Sequence, residues 1–525
     1  MKFEIITERK RPNKAASGEK LDANLYKDGR GIVDATARGI GTYQPTGRPS
    51  FLPNIYNSTD PKPDTTDNVA IPGVLITGYM PMPIISEDNM SAPSIAASVL
   101  FQQMRRKLNK TQVGYQPADP LIMYTCFTTI MGLVEELKRE FGIMNTYCTV
   151  NQYWPRAVLG ALGYSEQNVT ELSRNMADYA AEFNTLMYKL ASIIMPVETN
   201  IGIRYQWMGR SIWEDHDSPK AQIYMYQMDY GYEYVDTDEN GSKAVMVKVP
   251  HNGFRSRMSF LARLIESLRN SDSYDAIVSD WENAFPDAKT YNWETLEVDY
   301  MVKPTINDDV LQQFQNNETL PKFSFEPGSC DITQNVLDSS LYCMPEFIVE
   351  DYSAMANWNY IRTLKGVGTN FQGTDVDENA IINNTHGKLL FNYDDTDDGY
   401  RLLLLPGSVT TEVYTRHSLL MNRRLTEGRQ PIIALAKTDF NTWMTLDSSH
   451  LDTIAALTYY QMCDWAPVIY PCFKYGDGSD PESVKVIAPE LPYAEVDNWV
   501  EVPERALLKM NNAMQFALWR TPDEI

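Results

Sequence analysis

From residue 94 onward, apolar positions fall mostly at helical spacing, interrupted by one stretch of strict alternation and one of short strand-like runs. Ser94–Asn109 carries an apolar stripe and places Arg105, Arg106 and Lys107 in its last turn, where cations suit the negative end of the helix dipole. Leu121–Glu140 is apolar nearly all round, with Glu135, Glu136, Lys138 and Arg139 only towards its end. A helix of that kind is predicted to lie buried between other elements. Ser165–Ile194 reads as one long helix, opened by Ser165 and Glu166 and stopped by Pro196. Its Leu172, Met176, Tyr179, Ala180, Phe183, Met187, Leu190 and Ile194 keep the i, i+3, i+4, i+7 spacing of a single face.

The period then changes to two. Tyr224, Tyr226, Met228, Tyr230, Tyr232 and Tyr234 occupy alternate positions, a turn follows at Asp238-Glu239-Asn240-Gly241, and alternation resumes with Val245, Val247 and Val249. Alternation, turn and alternation predict a hairpin over 222–249. Helical spacing returns at Met258–Asn270, Ser273–Phe285 and Asp308–Asn316. Residues 321–430 are turn-rich and strand-like, from about 446 to Trp465 the pattern is helical again, and a last helix is expected at Pro503–Leu518 after a strand-like stretch. The first 66 residues hold six Gly and six Pro with no sustained period, as in an extended arm. The fold class predicted is α+β: an arm over 1–66, a helix-rich body over 67–320 and 431–525, and an inserted β-rich domain over 321–430.

Composition adds a charge asymmetry. The 525 residues carry a formal charge of −23. Residues 1–50 contribute +4 and the remainder −27, so a weakly basic arm leads an acidic body. Such a body repels nucleic acid and anionic lipid over most of its surface, which makes any such contact local. Arg9, Lys10, Arg11 and Lys14 form the basic group on the flexible segment and are the candidate nucleic-acid contacts. The residues at the start lack the apolar core of a secretory signal, and no run reaches the roughly 18 apolar residues of a membrane span. The six cysteines form no CxxC pair and only five histidines occur, so buried thiols are expected rather than disulfides or a metal site.

Candidate chemistry is thin. Asp236-Thr237-Asp238-Glu239-Asn240-Gly241 starts like a calcium loop, but Val247 stands where the bidentate Glu belongs and the flanks are strands, so a hairpin turn is predicted. Gly366-Val367-Gly368 through Gly373 lacks the Lys-Ser/Thr of a phosphate-binding loop. The acidic residues, Trp and Tyr raise the question of a glycosidase, which needs two carboxyl groups facing across a groove; here the acids are spread over turns and helix ends and read as solvated. Arg255, Arg257, Arg263 and Arg269 read as decoration of a helix, and the histidines as structural. No GxSxG, HExxH or Cys/His arrangement points to catalysis, and neither a cofactor nor a catalytic residue is assigned.

One stretch goes further. Residues 258–285 and 291–316 resemble the capsid proteins of picobirnaviruses, in which an "I-x-G/S-D-h-x-x-A-F/Y" helix precedes a "D-Y-x-V-x-P…VLxQhxN" segment. The matching residues are Ile277, Ser279, Asp280, Ala284, Phe285, Asp299, Tyr300, Val302, Pro304, Val310, Leu311, Gln313 and Asn316. A second likeness lies in TTEVYTRHSLLM, within Leu405–Met421. The resemblance implies a structural protein whose homodimers tile a small icosahedral shell around double-stranded RNA. It further implies a helix-rich shell domain carrying a projecting domain open to a host-cell surface, an inward arm, and virions assembled in the host cytoplasm. The weak charge of the arm departs from a strongly cationic wall; a duplex that must move past a polymerase cannot be held tightly. Two other readings stay open: a tailed-phage virion component, whose connectors form rings, and a carbohydrate-active enzyme.

Overall fold

The computed structural model describes residues 73–525 except 147–153, 194, 196–199, 218–220, 238–240, 288–292, 318–322, 326–327, 350–366, 369–390, 397–398, 406–410, 428–429, 441–442, 448–462, 468–469, 476–484, 488–498, 501–503 and 520–525. The arm, with Arg9, Lys10, Arg11 and Lys14, and most of the helix expected between 446 and Trp465 lie outside the described residues.

The helices are α1 (Ala92–Leu108), α2 (Asp119–Asn145), α3 (Trp154–Ala161), α4 (Glu166–Arg174), α5 (Met176–Leu190), α6 (Asn200–Arg210), α7 (Phe254–Arg269), α8 (Tyr274–Ala284), α9 (Asp308–Asn316) and α10 (Glu504–Leu518). The strands in the first half are β1 (Val74–Pro81), β2 (Trp213–Glu214), β3 (Ile223–Met228), β4 (Tyr230–Thr237) and β5 (Gly241–Lys248). Short strands follow at β6 (Phe323–Phe325), β7 (Thr333–Asn335), β8 (Ser340–Tyr342), β9 (Glu346–Val349) and β10 (Val367–Gly368). Next come β11 (Phe391–Thr396), β12 (Gly399–Leu404), β13 (Glu412–Glu427), β14 (Gln430–Phe440) and β15 (Trp443–Asp447). The last are β16 (Tyr470–Tyr475), β17 (Lys485–Ile487) and β18 (Trp499–Val500).

A five-stranded sheet in the order β14-β13-β1-β3-β2 forms one wall of the core. β1 lies at its centre, antiparallel to β13 and parallel to β3, and all eight of its residues are buried. A strand covered on both faces shows no alternation, only the continuous apolar run VLITGYMP, which is why periodicity gives no strand there. The other wall is α2, buried from Asp119 to Met144. It is wedged among α6, α7 and the β4–β5 hairpin, as its nearly all-round apolar surface predicts.

Two expectations are corrected. The segment expected as one helix forms two, α4 and α5, the second ending at Leu190, divided at Asn175, whose φ of −123° and ψ of 33° are not helical and whose side-chain amide donates to the Glu171 carbonyl at 3.1 Å. One non-helical residue leaves the stripe in phase, so Leu172, Tyr179, Phe183, Met187 and Leu190 are all buried. Ser165 does cap α4, accepting the Asn168 N–H at 3.2 Å. The alternating 222–249 segment is likewise divided. β3 joins the five-stranded sheet, Asp229 interrupts the run, and β4 pairs with β5 from Tyr230↔Lys248 to Thr237↔Gly241. The hairpin forms as expected, with Gly241 at φ 73° beside its turn, but it starts eight residues later, at Tyr230.

Strand pairings link the 321–430 segment to the body at both ends. Bridges Ala244↔Ile332 and Ser86↔Cys343 tie the start of this segment to the body. At its far end β13 pairs with β1 over Val74↔Leu420 to Pro81↔Glu412 and then with β14, which begins at Gln430. Between these anchors a four-stranded sheet, β11-β12-β9-β6, buries Phe347, Leu402 and Leu404 in the common core. The segment is β-rich, as its composition predicts, and both its ends are woven into the body.

Candidate functional site

The family-like segment meets the C-terminal end of α2 and runs on to β3. On α8, Ile277, Asp280 and Ala284 share one buried face, at the i, i+3, i+7 spacing of the motif. Asp280 takes an ion pair from Lys110 and a 3.1 Å hydrogen bond from the Tyr115 hydroxyl, which fixes the loop after α1 against α8. The Lys107 ammonium sits 4.3 Å from the centre of the Phe285 ring. Ser279 faces outwards, and its carbonyl accepts from the Asn283 amide at 2.7 Å.

Downstream, Asp299 is exposed, whereas the Tyr300 carbonyl accepts from Asn145 Nδ2 at 2.7 Å at the end of α2. Val302 and Pro304 are buried. The crossing is close because α2 has Gly142 there: a Cβ would stand 2.8 Å from Val302 N and 2.9 Å from the Tyr300 ring. In α9, Val310, Leu311 and Gln313 are buried, and Phe314 stacks on Tyr226 of β3 with centroids 4.1 Å apart. Asn307 caps this helix by accepting the Val310 N–H at 3.3 Å. The motif residues are thus spread from α8 past the end of α2 to α9 on β3, rather than clustered around one point.

α2 and α7 share a set of buried charges, of which the sequence reading treats Arg257 as surface. Arg257, expected to decorate α7, is fully buried and bonds both Glu136 and Glu140 of α2. Tyr164 donates to Glu140 at 2.5 Å, and the Met228 N–H donates to Glu136 at 2.7 Å. Arg139 points the other way, donating to the Tyr226 carbonyl at 2.7 Å and the Met208 carbonyl at 3.1 Å. Burial alone would lower the Arg257 pKa, but Glu140 and Glu136 raise it well above the ordinary value. Burial raises Glu140 despite Arg257, and burial lowers Arg139 against the pull of Glu136 and Glu140.

Two further clusters join the far parts of the chain to this centre. Arg204 of α6 pairs with Glu412 of β13. Asp229, at the break between β3 and β4, receives Arg416 Nη2 at 3.1 Å and a bond from Thr415, and lies 3.0 Å from His251 Nε2. Burial pushes Asp229 up, yet Arg416, His251 and Thr415 together bring its carboxyl down to about 2. His417 is a buried structural histidine, 3.0 Å from Thr77 Oγ1. Cys126, Cys330 and Cys343 are buried free thiols, as expected, and Cys463 is buried too.

What these polar groups can do chemically is cross-link. Each joins elements distant in sequence, and an ion pair kept from water is strong to break although it adds little net stability. Together they tie the sheet, the central helix and the α7–α8 region into one body, as internal fastenings rather than an open reaction site.

The comparisons give that body its lineage. The family model "Picobirnavirus, Capsid protein" matches residues 44–400, and the chain belongs to this family of virus capsid proteins. A "Capsid protein precursor" of human picobirnavirus is 22% identical over 506 residues, covering 92% of this chain and 87% of that protein. The fold matches the X-ray crystallographic structure of the picobirnavirus capsid with a TM-score of 0.67 at 17% identity, over 87% of this chain and 89% of that one. A capsid protein is a component of the virion and associates with copies of itself into a shell. No helix among the described residues is long and apolar enough to cross a membrane.

Proposed function

We propose that this capsid protein assembles through homodimers into a small icosahedral shell that encloses a double-stranded RNA genome, and that virions form in the host cytoplasm. The observation that carries the reading is the cross-linked α+β body, whose fold matches a picobirnavirus capsid over most of both chains. A stiff subunit suits closed symmetric packing, in which the same surfaces must meet at fixed angles many times.

The arm over 1–66 lies inside the shell and runs partly along neighbouring subunits, since a Gly/Pro-rich segment gains order from the partners it crosses. Arg9, Lys10, Arg11 and Lys14 touch RNA weakly and without sequence preference. The body, at −27 outside residues 1–50, keeps the duplex mobile by repulsion. The projection that meets the host cell is drawn from 321–430, between the anchors at Ile332–Cys343 and Glu412–Leu420.

The test is nuclease-protected RNA in particles made from the full chain. Changing Arg9, Lys10, Arg11 and Lys14 to Ala should lower the RNA content while shells persist, and deleting residues 1–45 should also loosen the shells. Unchanged RNA in the four-Ala particles across a salt series would make the arm a strap only.

A further inference from the structure

β2 is an edge strand of the five-stranded sheet, and the residues just after it meet a turn from near the other end of the chain. Asp215, His216 and Asp464 each bring one ligand atom to within 4.8 Å of the others. Asp215 is the anchor. Its side chain is only 1% exposed, and its Oδ1 accepts the Gln222 N–H at 2.9 Å and lies 3.0 Å from His216 Nδ1. Its Oδ2 is buried with no hydrogen-bond partner among the described residues. A buried carboxylate oxygen without a partner is costly, and a cation is the partner that would satisfy it most fully.

Both halves of the cluster are held in place. The Trp465 N–H donates to the Tyr224 hydroxyl at 3.2 Å, which seats the turn on β3. On the other side the Glu214 N–H donates to the Thr305 carbonyl at 3.0 Å, and the Asp215 N–H to the Gln222 carbonyl at 3.3 Å.

We propose that Asp215, His216 and Asp464 bind a divalent transition metal of the zinc type, which clips the 463–467 turn onto the edge of the sheet. The donor set decides the class. Calcium and magnesium take oxygen ligands, whereas an imidazole beside two carboxylates suits zinc, with a fourth position left for water. The clip would join two segments far apart in the chain, and so would stabilise the subunit as its occupancy rises.

The experiment uses the full chain stripped by chelator and titrated with zinc chloride or calcium chloride, following heat of binding, bound metal by mass spectrometry and the thermal midpoint. Zinc is expected to bind at one ion per chain and raise the midpoint. His216 is 57% exposed and Asp464 is exposed, so His216→Ala and Asp464→Asn should fold and, without metal, melt as the parent does. Each should weaken zinc binding by no less than the ~10–100-fold known for changes around metal ligands. The proposal is overturned if the parent binds no stoichiometric zinc, if both variants bind it as the parent does, or if calcium binds and zinc does not.

Discussion

Arg204 holds Glu412 through two hydrogen bonds, Nε to Oε1 at 2.5 Å and Nη2 to Oε2 at 2.9 Å, with both side chains out of water. The pair fixes the start of β13 to α6, so the chain returns to the body at a defined point after its β-rich excursion. Removing one partner strands the other charge in the core. Arg204→Met is therefore expected to cost roughly 3–5 kcal/mol, measured by urea unfolding. The double change Arg204→Met with Glu412→Leu should recover most of that loss, because neither charge is then buried alone. A double variant as unstable as the single one would show that the pair contributes more than mutual neutralisation.

Acid sensitivity follows from Asp229. Its folded pKa of about 2 lies below the ordinary carboxylate value, so its stabilising contribution is fully present above the unfolded value and is lost as pH falls towards 2. For a shift of this size the contribution is about 2 kcal/mol. Unfolding of the parent and of Asp229→Asn should differ by that order at pH 6 and converge on acidification. A difference that stays constant to pH 2 would remove Asp229 from the account.

Helix packing gives a contrast between two glycines. A Cβ on Gly209 of α6 would lie 2.5 Å from the backbone oxygen of Gly132 on α2, whereas one on Gly132 would first meet the movable end of Met228 at 2.7 Å. Gly209→Ala should therefore separate the helices and cost roughly 1–3 kcal/mol. Gly132→Ala should be much milder, since Met228 can turn aside and Ala favours the helix by about 1 kcal/mol. Equal effects in thermal melts would mean that the crossing is looser than these distances imply.

The β-rich segment can be shortened only at the right place. Deleting all of 321–430 would remove the whole of β13, and with it the antiparallel partner of β1, and should abolish folding. Val349 and Tyr400, by contrast, are direct antiparallel partners. Replacing 350–399 with an Asn-Gly turn matches the two-residue loop that closes such a pair, and should leave a folded subunit that still assembles, without its projection. Circular dichroism and electron microscopy of this variant check both halves of the expectation.

Helices were the most legible part of the sequence, because their faces are written locally. α9 falls at Asp308–Asn316 as its spacing and Asn307 cap require, and Ser165 marks the start of α4. The family-like segment was legible through Ile277, Asp280, Tyr300, Pro304 and Leu311. Legibility fails where the cause lies far along the chain. Arg257 looks like a surface residue until its partner Glu136, 121 positions away, is folded against it. β1 has no period because it is covered on both faces, and the alternation through Asp229 hides the place where one sheet ends and the next begins. The zinc-type cluster was invisible for the same reason, since Asp464 reaches Asp215 and His216 only in the fold.

The most direct test of the central claim is electron microscopy of the purified full-length chain in physiological salt, with light scattering on the same sample. Closed isometric particles built from dimers are predicted, with protected RNA inside. A persistent monomer would contradict the account, and open rings would point instead to a connector of the tailed-phage kind.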